Sequence, residues 1–222
     1  MKRKSRSELR SEATHQALID AARELFTEKG MDLATIDDIT SRADVGKGTF
    51  YYHFDNKNEL IRELLQDIMQ QLCDEIDTRS RDAEGLEALL DQTISAHLEF
   101  FHARRDDFIL YFQGRADMML QEGYQGIDEP IFLYLERLAQ LIAGITNHHL
   151  STETLKRITN AVAGFVTGYF AFASISVEEQ ELQETFGPLR KTLVASLSRY
   201  IREELSREKS LRSSEAGDQT PP

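Results

Sequence analysis

The sequence predicts an all-α protein, and three observations support that fold class. Only four prolines occur in 222 residues, and two of them are the last two residues. Apolar residues recur at three- and four-residue spacing through most of the chain, as they do in amphipathic helices. No run alternates apolar and polar residues in the manner of a half-buried strand. We therefore expect helices joined by short turns around a substantial core, since 41% of the residues are hydrophobic.

The N-terminal quarter is predicted to begin with one long and one short helix. The first has apolar residues at helical spacing, with Ser11 as a candidate cap and Gly30 just past its end. The second begins near Thr35, because Asp38 follows three residues later and the pair forms a near capping box. It is expected to end around Arg42.

Two more helices follow after a tight turn at residues 44–46. A third helix covers roughly residues 47–53, and a fourth, opened by Asn56 and Glu59, covers about 57–78. Beyond it we expect helices near residues 86–103, 105–122, 130–147, 152–176 and 186–206, with Pro130 and Pro188 at first helical positions. The polar residues 207–222 are predicted to form a disordered tail.

Charge is distributed unevenly along the chain. The formal net charge is −12, but residues 1–57 hold ten basic and ten acidic residues and are neutral as a group. The first ten residues, MKRKSRSELR, hold five basic residues and one acid. Residues 1–11 are therefore predicted to be a basic arm suited to a polyanion, the alternative being a solvated tail without a partner.

The stretch VGKGTFYYHF, residues 45–54, combines apolar and donor-rich faces. On a helix Phe50 and Phe54 share a face that must be buried, and Tyr52 lies opposite. Gly48 and Thr49 lie beside Tyr52, and the edges carry Lys47, Tyr51 and His53. Such groups donate to phosphate oxygens and base edges, and a helix about 10 Å long fits a major groove about 12 Å wide. Residues 35–54 thus match a helix-turn-helix, although an ordinary helical corner is the plain alternative.

Residues 12–72 closely resemble the DNA-binding domain of TetR-family (TetR/AcrR) transcriptional regulators. The resemblance rests on ALIDAARELFTEKG and TIDDITSRADVGKGTFYYHFDNKNEL, most specifically on the YYHF run followed by Lys57 and Leu60. It implies a three-helix DNA-binding domain, followed over residues 73–206 by a larger helical domain for ligand binding and dimerisation. It also implies a homodimeric repressor in the cytoplasm, released from a palindromic double-stranded operator by a partly apolar small molecule.

The resemblance implies that nine residues face DNA: Thr35, Gly46, Lys47, Gly48, Thr49, Tyr51, Tyr52, His53 and Lys57. Thr35 and Lys57 would hold phosphates from helix N-termini, Thr49 and Tyr51 would be best placed to touch bases, and Lys47 could reach either. The third helix lacks arginine, asparagine and glutamine, which are the best bidentate readers of guanine and adenine. We therefore expect modest base discrimination and steep salt dependence.

A twenty-residue run without charge, residues 158–177, is long enough to span a bilayer. Its serines, threonines and glycines make it only moderately hydrophobic, so a helix buried on most sides is the better interpretation. A small-residue stripe on this run and an apolar face on the last helix are the candidate dimer interface: Ala161, Gly164, Gly168, Ala171, Leu193, Leu197 and Tyr200. The resemblance implies their pairing with a second copy, and intrachain core is the alternative.

Aromatic residues are concentrated between residues 86 and 147 and again after residue 164. Most are expected to be core, yet pockets between bundle helices are lined by such residues with a few polar groups. The resemblance implies an inducer pocket here, with these candidates: His97, Phe101, Phe108, Tyr111, Phe112, Arg115, Tyr134, Asn160 and Phe165. Arg115 suits an anionic ligand, or else pairs with a neighbouring acid at the surface.

Two other classes of protein are disfavoured. An enzyme is not indicated, because the histidines are not spaced as metal ligands and no nucleophile or paired-carboxylate signature occurs. The single cysteine, Cys73, excludes an internal disulfide or a cysteine-clustered zinc site, and no cofactor is expected. A helical scaffold would predict no affinity for duplex DNA.

Overall fold

The computed structural model consists of α-helices in all the parts it describes. It describes the backbone of residues 5–120, 129–176 and 179–217 and the side chains of residues 5–113, 129–173 and 186–211. The helices are α1 (Arg6–Lys29), α2 (Ile36–Arg42), α3 (Lys47–His53), α4 (Lys57–Ser80), α5 (Leu86–Ala103), α6 (Arg105–Leu120), α7 (Glu129–Ile145), α8 (Thr152–Ser176) and α9 (Glu179–Gly217). The predicted fold class is confirmed. Over these residues, no helix is both long and apolar enough to cross a membrane.

Helix α1 starts earlier than the sequence analysis placed it. Ser5 caps it, since the Glu8 amide donates to the Ser5 hydroxyl oxygen at 3.2 Å and the Ser5 amide donates to the Glu8 carboxylate at 2.6 Å. This reciprocal capping box satisfies two amides that would otherwise lack partners. The cap predicted at Ser11 is wrong, and residues 6–11 of the predicted arm belong to α1.

The chain divides into two compact units, and the division is not the simple one predicted at residue 72. The first unit comprises the described residues up to Gln70 together with those between Arg104 and Ile131. The second comprises the remainder. Helix α6 belongs to the first unit because it packs on α1 and because Arg23 forms ion pairs with Asp107 of α6 and Asp67 of α4. The structure therefore groups α6 with the N-terminal helices, whereas the prediction placed it in the domain over residues 73–206.

The core of the first unit holds α1, α2, α3 and the first turns of α4 together. Helix α1 packs on α2, and α2 packs on α3. Each helix contributes side chains that are almost entirely removed from solvent: Leu18, Phe26, Ile39, Phe50, Phe54, Leu60 and Leu64. Burial of a large apolar side chain stabilises a fold by about 1.5–3 kcal/mol, so this cluster fixes the orientation of the short α3.

In the second unit α5 packs on both α8 and α9, which also pack on each other. The buried interior includes Ile94, Phe101, Val166, Phe170 and Ile201, and the rings of Phe101 and Phe170 lie 6.2 Å apart. One fully buried polar pair lies among these side chains. The Nε2 atom of His97 is hydrogen-bonded to the hydroxyl of Tyr134, and Nδ1 lies 2.6 Å from the carbonyl oxygen of Thr93.

Helix α9 is longer than predicted at both ends. It starts at Glu179, so Pro188 lies inside the helix instead of at its first position. It continues to Gly217, so the tail predicted over residues 207–222 is wrong as far as Gly217, and residues 218–222 lie outside the described residues. Arginine, glutamate, lysine and leucine in SREKSLR, residues 206–212, favour helix, and the Thr154 hydroxyl donates to Glu208 at 3.0 Å.

Candidate nucleic-acid interface

The turn between α2 and α3 is set by local hydrogen bonds. Thr35 caps α2 in a reciprocal capping box with Asp38, as predicted. After α2, the Val45 amide donates to the carbonyl oxygen of Thr40 at 3.0 Å. Asp44 takes the left-handed conformation with φ +53°, which aspartate tolerates better than most residues. The reversal is therefore made by Asp44, whereas the φ of −77° at Gly46 is one that any residue adopts.

The predicted burial of α3 is confirmed. Phe50 and Phe54 are buried, with ring centroids 5.5 Å apart. On the opposite face Tyr52 is 77% exposed and Tyr51 is 52% exposed. This seven-residue helix therefore presents two tyrosine side chains to solvent. A partner can contact both their rings and their hydroxyls.

Packing within the chain does not require glycine at Gly46 or Gly48, at the start of α3. A Cβ built at Gly46 or Gly48 would meet no heavy atom within 4 Å. Gly46 also leaves α3 without a side-chain cap, and the Thr49 amide donates instead to the carbonyl oxygen of Gly46 at 2.8 Å. The glycines therefore keep open space above the backbone at the start of α3, which suits close approach by a phosphate-bearing partner.

Two residues predicted to hold phosphates have their donors engaged within the chain. The Lys57 ammonium group donates to the carbonyl oxygens of Met31, Asp32 and Ala34 at 2.9, 3.4 and 3.1 Å. An ammonium group has three donors, and all three can be used by these carbonyl oxygens. Lys57 therefore stabilises the turn between α1 and α2. The hydroxyl and amide of Thr35 both donate to Asp38 at 2.6 and 2.8 Å. Each side chain would have to exchange an intrachain acceptor for a phosphate oxygen, and its contact with phosphate remains a prediction.

The remaining cations near α2 and α3 are ion-paired. Lys29 lies 2.6 Å from Asp38, whose pKa is held well below its usual range by the hydrogen bonds from Lys29 and Thr35. Arg42 contacts two glutamates of α1, each at 2.9 Å. Lys47 lies 2.8 Å from Asp37, and that carboxylate raises the pKa of Lys47. Lysine at 47 is thus charged but already has an anionic neighbour.

His53 lies at the edge of the exposed face and is partly buried. Its ring centroid is 5.0 Å from that of Tyr52 and 5.4 Å from that of His15. Burial and the neighbouring His15 lower the pKa of His53 below its ordinary value of 6.5. The imidazole is therefore neutral near pH 7, with one ring nitrogen that donates and one that accepts. Thr49 is half-buried beside this face.

The residues predicted to form a ligand pocket are divided between the two units. Phe108, Tyr111 and Phe112 belong to the first unit, in which Phe112 is exposed and stacks on Phe108 at 5.9 Å. His97 and Tyr134 are buried against each other in the second unit, and the side chain of Arg115 lies outside the described residues. Asn160 is exposed, Phe101 is core, and Phe165 stacks on Tyr169 at 6.2 Å.

His97 in particular has no free polar atom for a ligand. Its Nδ1 faces a carbonyl oxygen, which can only accept, so Nδ1 carries the proton and Nε2 accepts from the Tyr134 hydroxyl. Burial lowers the pKa of His97 to about 4, so the ring is neutral. The pair is a satisfied core interaction, and the sequence alone could not distinguish it from a ligand contact.

A cavity that the sequence analysis missed lies between α5 and α9 in the second unit. Its volume is about 370 Å³, and its lining comprises Ser95, Leu98, Glu99, His102, Phe186, Gly187 and Arg190. None of the predicted pocket residues whose side chains the structure describes lines it. Arg190 donates to the Ser95 hydroxyl at 2.5 Å and lies 3.1 Å from Asp91, while Glu99 lies 2.5 Å from Arg79. The cavity thus combines apolar walls with a cation and an anion.

The predicted dimer residues are partly accessible in the single chain. Ala161 and Gly164 are exposed on α8, and Leu193 and Tyr200 are half-buried on α9. Leu197 is buried by its own chain, whereas Gly168 and Ala171 are half-buried. A Cβ at Gly164 or Gly168 would meet no heavy atom within 4 Å, so packing within the chain does not require these glycines. Pairing with a second copy remains a prediction.

Neither a metal-binding cluster nor an activated cysteine is found among the described residues. No group of three histidine, cysteine, aspartate or glutamate side chains is placed to hold a metal ion there. Cys73 is buried, and burial raises the pKa of its thiol to about 11, so the thiolate that a nucleophile requires is disfavoured.

Comparison with known proteins identifies the relatives of this chain. Residues 18–64 match the model of the family described as bacterial regulatory proteins, tetR family. The HTH-type transcriptional regulator YvdT of Bacillus subtilis (strain 168) is 25% identical over 175 residues, which cover 76% of this chain and 90% of YvdT. These relatives are named as transcriptional regulators and not as enzymes.

Solved structures share the fold. A tetR family transcription regulator from Shewanella sp. PV-4 superposes with a TM-score of 0.66 at 18% identity, covering 83% of this chain and 95% of that one. The transcriptional regulator FadR of Bacillus subtilis, solved in complex with stearoyl-CoA, superposes with a TM-score of 0.59 at 19% identity, covering 82% and 94%.

Proposed function

Because the chain belongs to the TetR family of bacterial regulatory proteins, we propose that it is a homodimeric, ligand-responsive repressor acting on DNA in the cytoplasm. The observation that carries the proposal is the surface of α3, where two exposed tyrosines and two open glycines lie opposite two buried phenylalanines. This arrangement supports α3 as the recognition helix, with Gly46, Lys47, Gly48, Thr49, Tyr51, Tyr52 and His53 toward the duplex.

The chemistry of this face favours phosphate contacts over a detailed base code. Tyrosine and threonine hydroxyls and backbone amides donate to phosphate oxygens, which position a protein on DNA. Bidentate contacts to guanine or adenine need arginine, asparagine or glutamine, and none of these occurs on α3. We propose that two copies bind a palindrome, since a second recognition helix supplies the discrimination that one short helix lacks.

In vitro selection from a random duplex library tests this function directly. Purified protein should enrich a palindromic sequence, and its affinity for that duplex should fall steeply when salt is raised from about 50 to about 200 mM. Enrichment of no sequence, together with no measurable duplex binding at low salt, would refute the proposal.

A matched pair of variants then locates the interface. Tyr52→Ala removes an aromatic side chain that is 77% exposed on α3, and Phe132→Ala removes one that is 58% exposed on α7. Neither ring belongs to the core, so both variants should keep their folding stability. We expect at least tenfold weaker operator binding for Tyr52→Ala only, measured by fluorescence anisotropy, because a lost contact of about 1.4 kcal/mol changes affinity tenfold.

For the effector we propose an amphipathic anion bound in the cavity between α5 and α9. Leu98 and Phe186 provide apolar walls and Arg190 a cation, and the volume of about 370 Å³ lies within the usual range for small-molecule pockets. The complex of the FadR relative with stearoyl-CoA makes acyl-CoA thioesters and fatty acids the first compounds to test. A ligand that prefers the DNA-free state must weaken operator binding by the same factor by which DNA weakens ligand binding.

Thermal shift measurements with an acyl-chain panel test the cavity. Arg190→Met should abolish the shift caused by an anionic ligand, while Arg202→Met, which removes an exposed arginine of the same helix, should retain it. Equal loss in both variants, or a shift that survives Arg190→Met, would place the effector elsewhere. Helix α4 contributes residues to both units, so we propose that it transmits the effect of the ligand.

A further inference from the structure

Asp37 places a negative charge beside the proposed recognition helix, where it opposes an approaching phosphate. Its carboxylate lies 2.8 Å from the Lys47 ammonium group, and the two side chains are 71% and 52% exposed. The cap of α2 does not depend on Asp37, because Thr35 and Asp38 form it. An exposed ion pair of this kind contributes little to stability. As an acid in the first turn of α2, Asp37 also interacts favourably with the helix dipole, and that interaction requires no contact with Lys47.

Lys47 is the cation of this region that DNA could most readily recruit. Lys57 is held by three carbonyl oxygens, Lys29 by Asp38, and Arg42 by two glutamates. The side chains of Lys29 and Arg42 are 35% exposed in those contacts, and two of the bonds from Lys57 are partly buried. The contact from Asp37 to Lys47 is the more exposed one, and it can exchange for a phosphate without uncovering any core residue.

We propose that Asp37 restrains DNA binding by holding the Lys47 ammonium group, which a backbone phosphate must take from it. This inference rests on the proposed function, since it requires that α3 faces DNA. In the wild type, a phosphate that binds Lys47 leaves the Asp37 carboxylate without its cation and close to the duplex. Removal of that carboxylate eliminates both the competition for Lys47 and the repulsion of the phosphate.

Asp37→Asn is the informative substitution, because it keeps the size and hydrogen-bonding capacity of the side chain and removes its charge. We expect operator binding to tighten about two- to fivefold per subunit, which corresponds to an exposed pair of up to about 1 kcal/mol. The slope of log affinity against log salt should steepen by up to about 0.9 per subunit, because Lys47 then releases counterions without an internal anion beside it.

The experiment measures operator affinity of the full chain across salt for wild type, Asp37→Asn, Lys47→Met and the double variant. The gain from Asp37→Asn should be smaller in the Lys47→Met background, where only direct repulsion of the phosphate is removed, if the carboxylate acts mainly through Lys47. Asp44→Asn is the matched control, since it removes one exposed charge from the adjacent turn and asparagine tolerates the φ of +53° there. This control should give no more than a small gain that is the same with or without Lys47.

The outcomes separate this inference from the proposed function. Tighter binding that depends on Lys47 supports the restraint. If Asp37→Asn binds no more tightly than the wild type, or if Asp44→Asn gives an equal gain, the restraint is overturned while DNA binding stands. If neither wild type nor Asp37→Asn binds any selected duplex, the proposed function fails and the inference fails with it. Urea unfolding of each variant confirms that affinities are compared between folded proteins.

Discussion

The substitution Lys57→Met distinguishes two roles of Lys57. It could stabilise the turn after α1, or it could bind a phosphate. Methionine keeps an unbranched stem that packs in the same space, so the main loss is the charged donor. That donor reaches the carbonyl oxygens of Met31 and Ala34 at 2.9 and 3.1 Å and that of Asp32 at 3.4 Å. The first two bonds are partly buried, and their carbonyl groups would be left without this partner.

The magnitude follows from those contacts. A hydrogen bond to a charged group contributes about 1.5–3 kcal/mol, but one ammonium group shared between three oxygens gives less than three separate bonds. The third bond is long and exposed and adds little. We therefore expect Lys57→Met to lower the free energy of unfolding of the first unit by about 2–3 kcal/mol.

The assay combines urea unfolding, followed by far-UV circular dichroism, with operator binding at several salt concentrations. If Lys57 stabilises the turn, Lys57→Met should lower the free energy of unfolding and weaken operator binding. The slope of log affinity against log salt should not change, because no phosphate contact is lost. Unchanged stability together with a salt slope reduced by about 0.9 per subunit would refute this reasoning and make Lys57 a phosphate ligand. Lys156→Met, which removes an exposed lysine from α8, should change neither quantity.

Two further predictions address the second unit. Its buried His97 has a pKa of about 4 in place of 6.5, so the free energy of unfolding should be intact above pH 6.5 and should fall by up to about 3 kcal/mol as the pH approaches 4. His97→Gln should show a shallower loss over that interval in urea titrations, and an identical loss would contradict the burial of a neutral imidazole. Gly164→Glu adds a charge where a Cβ meets nothing within 4 Å, so the protomer should keep its melting temperature while light scattering reports 25.4 kDa and not twice that mass. A variant that remains dimeric would exclude this part of α8 from the interface.

Prediction from sequence succeeded where the determining contacts are local. The cap of α2 by Thr35 and Asp38 spans three residues, and so does the hydrogen bond from the Glu59 amide to Asn56 that starts α4. The burial of Phe50 and Phe54 follows from their spacing on one helix. The early start of α1 was also local, and its signal was present as a serine followed three residues later by a glutamate at Ser5 and Glu8.

Prediction from sequence is limited where a side chain has possible partners that are distant along the chain. The sequence does not show whether Lys57 contacts a phosphate or the turn after α1. The carbonyl oxygens of that turn belong to residues 23 to 26 positions earlier. Aromatic residues between 86 and 147 could not be divided between the two units, because α6 joins the first unit through its packing on α1. The cavity between α5 and α9 joins segments that are also far apart along the chain.

The sequence by itself therefore determined the helices, their caps and the two faces of α3, because backbone hydrogen bonds and amphipathic periodicity act within a few residues. The tertiary structure decided which donors remain free, since an ammonium or hydroxyl group binds whichever acceptor the fold brings within about 3 Å. It assigned Lys57 to the turn, Lys47 to Asp37 and His97 to Tyr134. These contacts show which polar side chains are held within the fold and which remain available to a partner.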